Sequence, residues 1–385
     1  MRATKCRGCH SPHLEVVHDF GEQPLAGSYP TAPNSLSPER KYPLDLTQCR
    51  TCGLLQVTFL PPIDQVFHDD YRYSSSTVPA LVRHFEEYAT WLGRHLKPNA
   101  KVLEFGCNDG VLLLPMQRMG YLCGGIDASD NVAAIARSKG LDVVTGFLSS
   151  ELVTAKGYAG KFDLVTCSNV FAHIHDLDDT LNSVRLLLVK GGLFSVEVHD
   201  GESLYREGQF DTLYHEHLTY FTETTLRELL ERQGFEFVAC DKTAMHGGGL
   251  RLIARYSGNY EPGILAKIPP VLIGDFAGSS IKRCRDDLEK LYREHGPLVG
   301  YGAAGRSQMF LNMTQAANWF SHVYDDSPLR QGRFIAATDL QIRPYNNEEG
   351  DGLVILAWNY ASDILKKIER RYRNIYTVLP ELTRY

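Results

Sequence analysis

The clearest pattern in the chain is an apolar run that enters a glycine-rich turn and continues into a second apolar run. Residues 102–105 read Val-Leu-Glu-Phe, a turn with glycines at 106 and 110 follows, and 111–114 begins a helical pattern. This order predicts a strand, a tight loop and a helix. The glycines allow a ligand to approach the backbone, and the amides at a helix start favour polar or negative groups. The loop is therefore predicted to hold a nucleoside.

Further predicted strands alternate with helical stretches after this loop. They lie at 124–127, 162–169 and 191–198, and another begins within 246–252. This alternation predicts an α/β fold, a mostly parallel Rossmann-like sheet whose ligand lies at the carboxyl ends of the strands.

The pattern changes beyond about residue 262. An amphipathic, charged helix is predicted at 279–295, a second strand-loop-helix unit at 299–307, and further strands at 323–326 and 354–359. These elements predict a second, smaller Rossmann-like domain. From the residues alone, it is equally well a second nucleotide site or a structural relic.

The N-terminal part contains two C-x-x-C pairs, Cys6 with Cys9 and Cys49 with Cys52. Four thiolates in such pairs predict a closed tetrahedral zinc site, which is structural because it has no open position. The 39 residues between the pairs exceed the roughly 15 to 20 usual for such patterns, so the segment between them should form its own subdomain, with strands near 14–17 and 42–46. The alternative is two chance pairs of free cysteines. The predicted domains are 1–70, 71–260 and 261–385.

Composition narrows the class of protein. The chain has 385 residues, a net charge of −6 and no basic stripe, which disfavours a nucleic-acid partner. No apolar run reaches the roughly 18 residues that span a membrane, and the N-terminus lacks the apolar core of a secretory signal. We therefore expect a cytoplasmic protein without a membrane partner, whose cysteines are reduced.

The loop at 106–110 resembles motif I of the class I S-adenosylmethionine (SAM) methyltransferases, with Asn108-Asp109 in place of the commoner pair. Asp127 ends the next strand, where a carboxylate can accept ribose hydroxyls, and Phe147 follows the third, where a ring can pack on adenine. Another doubly wound nucleotide fold is the alternative. The candidate cofactor contacts are Glu104, Gly106, Asn108, Gly110, Asp127, Phe147 and Asn169.

The segment 210–221, Phe-Asp-Thr-Leu-Tyr-His-Glu-His-Leu-Thr-Tyr-Phe, is dense in groups that transfer protons. A histidine near its ordinary pKa of about 6.5 can act as a neutral base, and a carboxylate can fix its tautomer. Catalysis is favoured over two alternatives, a second metal site formed by His215 and His217 and ordinary core histidines. The pair Tyr71 and Tyr73, in a Ser-rich stretch, is equally well a substrate contact or a surface loop. The glycines after His246 suggest close ligand approach or a simple turn.

Taken together, the Cys₄ module, "GCNDG", "FDTLYHEHLTYF", "HGGGLR" and "GYGAAGR" resemble the sugar C-methyltransferases of nucleotide-linked keto-deoxysugars over essentially the whole chain. The resemblance implies an active site of Tyr214, Glu216, His217 and His173. It also implies these substrate contacts: Tyr71, Tyr73, His246, Gly302, Arg306, Ser307, Asn312 and Asp325. Two positions depart from the family. Arg306 stands where the family has a lysine, and Asp127 where a glutamate is more usual.

The resemblance implies that the protein transfers the methyl group of SAM to a ring carbon, C3 before C5, of a nucleotide-linked 4-keto-deoxyhexose. His217 would be the base, Tyr214 and His173 would donate to the enolate oxygen, and Glu216 would orient or polarise. Two rival functions are an O-methyltransferase or other small-molecule methyltransferase, and a zinc-containing nucleotide sensor. The sequence identifies neither the nucleotide nor the sugar.

Overall fold

The structure is a computed structural model that describes residues 2–60, 76, 79–258, 272–368 and 371–385. Tyr71 and Tyr73, predicted as substrate contacts, lie outside the described residues. The strands are β1 (Leu14–Gln23), β2 (Tyr42–Cys49), β3 (Leu55–Val57), β4 (Lys101–Phe105), β5 (Leu122–Asp127), β6 (Asp142–Thr145), β7 (Phe162–Ser168), β8 (Leu188–His199), β9 (Thr219–Tyr220), β10 (Phe235–Thr243), β11 (Gly249–Tyr256), β12 (Leu298–Tyr301), β13 (Phe320–Tyr324), β14 (Ile342–Arg343), β15 (Gly350–Ile355), β16 (Tyr372–Thr377) and β17 (Thr383–Arg384). The helices are α1 (Pro79–Gly93), α2 (Leu113–Arg118), α3 (Asp130–Ser138), α4 (Ser150–Ala155), α5 (Leu177–Leu187), α6 (Gly201–Arg206), α7 (Glu223–Arg232), α8 (Phe276–His295), α9 (Gly305–Thr314) and α10 (Ala361–Ile368).

Seven strands form a central sheet in the order β10-β11-β8-β7-β4-β5-β6. β4 lies between β5 and β7 and is parallel to both, whereas β11 is antiparallel to β8 and to β10. Val102 and Leu103 of β4 are buried, as expected of a parallel strand covered on both faces. The strand order reverses at β4, so the loop after it opens at a topological switch point. The predicted α/β fold and the position of its ligand loop are confirmed.

Six strands form a second sheet in the order β14-β13-β12-β15-β16-β17, parallel except for β17. The strand-loop-helix unit predicted at 299–307 is confirmed by β12 and α9. The strand predicted at 354–359 is wrong at its end, because β15 stops at Ile355 and Trp358–Tyr360 forms a short 3-10 turn. The turn directs Trp358 and Tyr360 toward the central domain, where they hydrogen-bond to Asp211 and His246.

Four antiparallel strands form the third sheet, in the order β1-β2-β3-β9. The strands predicted near 14–17 and 42–46 are confirmed by β1 and β2. β9 comes from the segment with the predicted catalytic residues, and its Tyr220 pairs with Leu55 of β3. That segment is therefore hydrogen-bonded directly to the cysteine-rich domain.

The sequence does not predict β10, because this edge strand is mostly half-buried and lacks a long apolar run. Within the described ranges, none of the helices has both the length and the apolar character needed to cross a bilayer.

Candidate active site

Four cysteines meet beside the third sheet. The Sγ atoms of Cys6 and Cys52 are 3.6 Å apart, those of Cys9 and Cys49 are 3.5 Å apart, and all four lie within 4.8 Å of one another. Zn–S bonds of about 2.3 Å in a tetrahedron place sulfur atoms about 3.8 Å apart, whereas a disulfide bond is about 2.05 Å long. All four cysteines lack a disulfide bond. They hold a structural zinc ion, and the closed shell leaves no position for a substrate.

The loop after β4 has the backbone that its sequence requires. Gly106 has φ +65°, and a Cβ there would lie 2.3 Å from Val170 Cγ2; a Cβ at Gly110, with φ +82°, would lie 2.2 Å from Leu141 Cδ1. Asn108 has φ +51°, a conformation that asparagine adopts more readily than most residues. This explains why Asn can occupy position 108 of the motif.

Carboxylates surround this loop. Both oxygens of Asp127 accept backbone N–H groups, from Asn108 at 2.8 Å and Ser129 at 2.9 Å. Glu104 is 2% exposed, and its Oε2 is a buried atom without a hydrogen-bond partner among the described residues. Burial and the neighbouring Asp127 and Glu197 raise the pKa of Glu104 well above its usual value. The site fits SAM, because a positively charged ligand would stabilise the ionised form of Glu104 that burial and the neighbouring carboxylates disfavour.

Two further predicted cofactor contacts lie at the same edge of the sheet. Asn169 follows β7 with φ +55°, and its N–H donates to the Glu197 carbonyl at 2.8 Å. Phe147 follows β6 and is 58% exposed, an unusual exposure for an aromatic ring beside a ligand loop. Their contacts with SAM stay predictions.

His217 is held in one tautomer. Its Nδ1 lies 2.9 Å from the Thr212 carbonyl, and because a carbonyl only accepts, Nδ1 carries the proton. Nε2 of the neutral ring is then an acceptor, and the Tyr214 hydroxyl donates to it at 2.9 Å. Burial, then the adjacent His173, lower the pKa of His217 well below its usual value. The ring is a neutral base with a fixed lone pair.

His173 and Glu216 complete this group. The His173 ring lies edge-on to His217, with centroids 4.8 Å apart, and burial lowers its pKa to about 4. Glu216 Oε1 accepts the Gly27 N–H at 3.3 Å, and burial raises its pKa to about 7. Gly27 belongs to the loop between β1 and β2, whose Ala26 carbonyl accepts from Gln308 of α9 at 2.6 Å. Glu216 therefore lies where all three domains meet.

His215 has a different role from His217. Its Nε2 donates to the carbonyls of Tyr42 and Pro43 at 3.3 and 3.2 Å, and the residue is 1% exposed. In the part of the chain that the structure describes, the zinc cysteines form the only cluster of potential metal ligands. The alternative of a second metal site at His215 and His217 is therefore not supported, and His215 is a structural residue.

Replacing Glu216 by Gln should stabilise the protein increasingly as the pH rises. Because burial raises the pKa of Glu216 to about 7, folding favours its neutral form. That stabilisation is present below the unfolded pKa of about 4.3 and is lost as the pH rises through 7. Gln stays neutral and can still accept from Gly27. The melting temperature of Glu216→Gln minus that of the wild type should therefore be larger at about pH 8 than at about pH 5.

The matched control for this experiment is Glu231→Gln, which changes an exposed carboxylate on α7. Its melting-temperature difference should not grow in the same way. A pH-independent difference for Glu216→Gln would contradict the raised pKa of this half-buried carboxyl.

Arg306 joins the C-terminal domain to the central one. Its Nε and Nη2 donate to the two oxygens of Asp211 at 3.0 and 2.8 Å. Its Nη1 donates to the His246 carbonyl at 2.5 Å, and the guanidinium group lies over the Trp358 ring. A Cβ at Gly247 would meet Trp358 at 2.4 Å, so this glycine permits domain packing. A contact between Arg306 and a phosphate of the substrate stays a prediction. In that complex, the guanidinium group would bind both the phosphate and Asp211.

The C-terminal loop repeats the hydrogen bonding of the SAM loop. The N–H of Gly302, with φ +91°, donates to the Tyr324 carbonyl at 2.7 Å, and Ala303 N–H donates to Asp325 Oδ2 at 2.7 Å. In the SAM loop, Gly106 N–H likewise donates to the carbonyl of Ile126, the residue before Asp127, and Asn108 N–H donates to the Asp127 carboxylate. The predicted contacts Ser307 and Asn312 lie on α9, where Ser307 is fully buried and Asn312 donates to the Ala336 carbonyl at 3.0 Å.

Sequence reasoning missed a buried charged group at the end of β8. Glu197 accepts from Arg251 Nε at 2.5 Å and lies 2.9 Å from His84 Nε2, and all three are at most 5% exposed. Burial alone would raise the pKa of Glu197, but His84 and Arg251 lower it. His199, two residues later, was also missed. Its position at the carboxyl end of a parallel strand was the one available signal.

Family models match three consecutive parts of the chain. Residues 6–67 match a zinc binding domain, 80–239 a methyltransferase domain and 277–377 a C-methyltransferase C-terminal domain. C-methyltransferase NovU of Streptomyces niveus is 29% identical over 94% of this chain and 91% of its own length.

Other relatives match only part of the chain. The ubiquinone biosynthesis O-methyltransferase of Caulobacter sp. (strain K31) is 33% identical over 27% of this chain and 42% of its own. Among solved structures, magnesium protoporphyrin IX methyltransferase (ChlM) of Synechocystis PCC 6803 with bound SAH covers 46% of this chain and 83% of its own, with 19% identity and a TM-score of 0.37. Because the three family models follow one another along the chain and NovU spans all of them, the protein belongs to the SAM-dependent C-methyltransferases.

Proposed function

We propose that the protein transfers the methyl group of SAM to ring carbon C3 of a nucleotide-linked 4-keto-deoxyhexose. The observation that carries this proposal is the pair of His217 and Tyr214. A carbon acceptor next to a ketone needs a base for its proton and a donor for the enolate oxygen, and this pair provides both within 2.9 Å. The name of NovU, a C-methyltransferase, supports a carbon acceptor.

His217 Nε2 removes the C3 proton. The Tyr214 hydroxyl, which occupies that lone pair in the free protein, turns to the C4 oxygen and donates to it as negative charge develops, with His173 as a second donor. Each such donor can contribute roughly 3 to 4 kcal/mol. SAM supplies a methyl group on a positively charged sulfur. The electron pair of the broken C3–H bond would form the bond to this methyl group, the pair of the S–CH₃ bond would stay on sulfur, and His217 would be left protonated beside S-adenosylhomocysteine.

Glu216 orients the part of the site that binds the acceptor. Its link to Gly27 connects the catalytic segment with a loop that packs on α9. Closing the three domains around the acceptor holds the carbon near the methyl donor and excludes water, which contributes to the rate through proximity.

The C-terminal domain binds the nucleotide of the substrate. Asp325, held by Ala303 N–H and Ser327 N–H at 2.7 and 2.8 Å, corresponds to Asp127 in the SAM domain and presents a carboxylate to a ribose. A Cβ at Gly302 would lie 2.5 Å from Ala357 Cβ, so the packing of this loop requires glycine.

The experiment incubates the protein and SAM with TDP-, GDP-, UDP- and CDP-linked 4-keto-deoxyhexoses that carry deuterium at C3, and analyses the sugars by mass spectrometry. We expect one carrier to gain a CH₂ and lose the deuterium. No methylated sugar despite SAM binding would overturn the proposal. A methylated sugar that keeps its deuterium would exclude C3 as the acceptor and favour methylation at C5 or at an oxygen.

A further inference from the structure

A polar pocket that the mechanism does not use lies at the carboxyl end of β8. Three residues lie side by side in register on adjacent strands: His199 on β8, Gly249 on β11 and Thr243 on β10. The Nε2 of His199 and the Oγ1 of Thr243 are both buried atoms, and neither has a hydrogen-bond partner within the described part of the chain. Unpaired buried polar atoms are costly, so two in one pocket indicate that something else satisfies them.

Gly249 makes room between these two groups. It has no side chain, and a Cβ at this position would lie 2.4 Å from Thr243 Oγ1. The Thr243 hydroxyl therefore lies over Gly249, and His199, the register partner of Gly249 on β8, lines the same pocket. His246 and Asn169 line the same pocket.

The pocket is polar but nearly uncharged. Burial, followed by the charge of Arg306, lowers the pKa of His199 to about 3 and that of His246 to about 4, so both rings are neutral at physiological pH. Glu197, also in the wall, is paired with Arg251. An uncharged group that both donates and accepts hydrogen bonds suits such a wall better than a phosphate or a carboxylate.

The position favours the acceptor over SAM. The SAM loop follows β4 and its acidic partner Asp127 ends β5, whereas His199 ends β8, two strands beyond β4 on the opposite side. His199 is also close enough to His217 to influence its pKa.

We propose that His199 and Thr243 bind a hydroxyl group of the acceptor sugar and thereby position the ring for His217. This inference rests on the proposed function and extends it, because it assigns two specificity-determining residues and the chemical group they recognise. A site built to hydrogen-bond a hydroxyl discriminates strongly against analogues that lack it, since its own polar groups are then left unpaired.

The test compares wild type, His199→Leu, His199→Gln and Thr243→Val on the accepted keto-sugar and on analogues that each lack one hydroxyl. For the complete sugar, kcat/KM should fall roughly 10- to 100-fold in His199→Leu and roughly 10-fold in Thr243→Val, with partial recovery in His199→Gln. For the analogue that lacks the recognised hydroxyl, the wild type and the variants should have the same low kcat/KM. The Kd for SAM, measured by calorimetry, should not change.

His322→Leu is the matched control, because His322 also has a buried Nε2 without a partner among the described residues but lies on β13. Its kcat/KM ratios should equal those of the wild type. Equal losses on every analogue, or a parallel loss of SAM affinity, would overturn the inference while wild-type activity still supports the proposed function. Thr243→Val replaces the hydroxyl by a methyl group of similar size, so it tests the pocket even if His199→Leu does not fold. If the wild type were inactive on every sugar, both the proposed function and this inference would be wrong.

Discussion

Replacing His217 by Asn is expected to lower kcat/KM for methyl transfer by roughly 10²- to 10⁴-fold, the usual contribution of a positioned general base. The Asn amide can still donate to the Thr212 carbonyl, as His217 Nδ1 does, but it has no basic lone pair where Nε2 lies. The change therefore removes the proton acceptor with little effect on packing. Mass spectrometry of the sugar gives the rate, and calorimetry should give an unchanged Kd for SAM.

Proton exchange isolates the step assigned to His217. Without SAM, the wild type should slowly exchange C3 deuterium of the bound keto-sugar for solvent hydrogen, and His217→Asn should not. His215→Asn is the matched control in the same segment. It should lower the melting temperature, because it weakens the contacts with Tyr42 and Pro43, and it should leave exchange largely intact. Exchange at the wild-type rate in His217→Asn would show that another group is the base.

The pH profile provides a second readout. A base works in its unprotonated form, so the rate falls only as the pH drops through the pKa of the base. Burial and His173 hold the pKa of His217 well below its usual value, so the acid limb of kcat/KM should lie below about pH 6.5. This limb should be absent from the residual activity of His217→Asn.

The parts of the site that the sequence predicts depend on local chain geometry. Cysteine pairs with two residues between them are preorganised for a metal, and Gly106 and Asn108 can adopt the positive φ of the loop between β4 and α2. The position of Asp127 is also predictable from local sequence, because this residue ends the next parallel strand, where such a fold places its ligand contacts. These features need only a few neighbouring residues, so one sequence reveals them.

The parts that the sequence does not predict depend on contacts between distant segments. The two-residue strand β9 is defined only by its pairing with β3, and the partner of Arg306, Asp211, lies 95 positions earlier in the chain. His199 is recognisable as part of a pocket only after β10 and β11 bring Thr243 and Gly249 beside it. No periodicity along the chain encodes these juxtapositions.

Removing the zinc ion is expected to abolish most methyl transfer while SAM binding persists. Cys49 ends β2 and Cys52 lies three residues before β3, so the metal fixes the hairpin that holds β9. Val57 N–H donates to the Leu218 carbonyl at 3.1 Å, directly after His217 in the chain. Structural zinc sites contribute roughly 10 kcal/mol or more to folding, far more than a small sheet can replace. Loss of the metal should therefore weaken the contacts that hold His217 in position.

The SAM loop belongs to a different sheet, and this separates catalysis from cofactor binding. After chelation under reducing conditions, or in Cys49→Ser, kcat should fall at least roughly tenfold while the Kd for SAM changes little. The reason is that β4 and β5 stay paired within the central sheet, and the core around Val102 and Leu113 contains none of the zinc ligands. Hydrogen exchange should increase in 42–57 and 213–220. Cys240→Ser, outside the cluster, is the control and should behave as wild type. Full activity in a zinc-free protein would show that β9 stays docked through its side-chain contacts alone, and a parallel loss of SAM affinity would show that the domains unfold together.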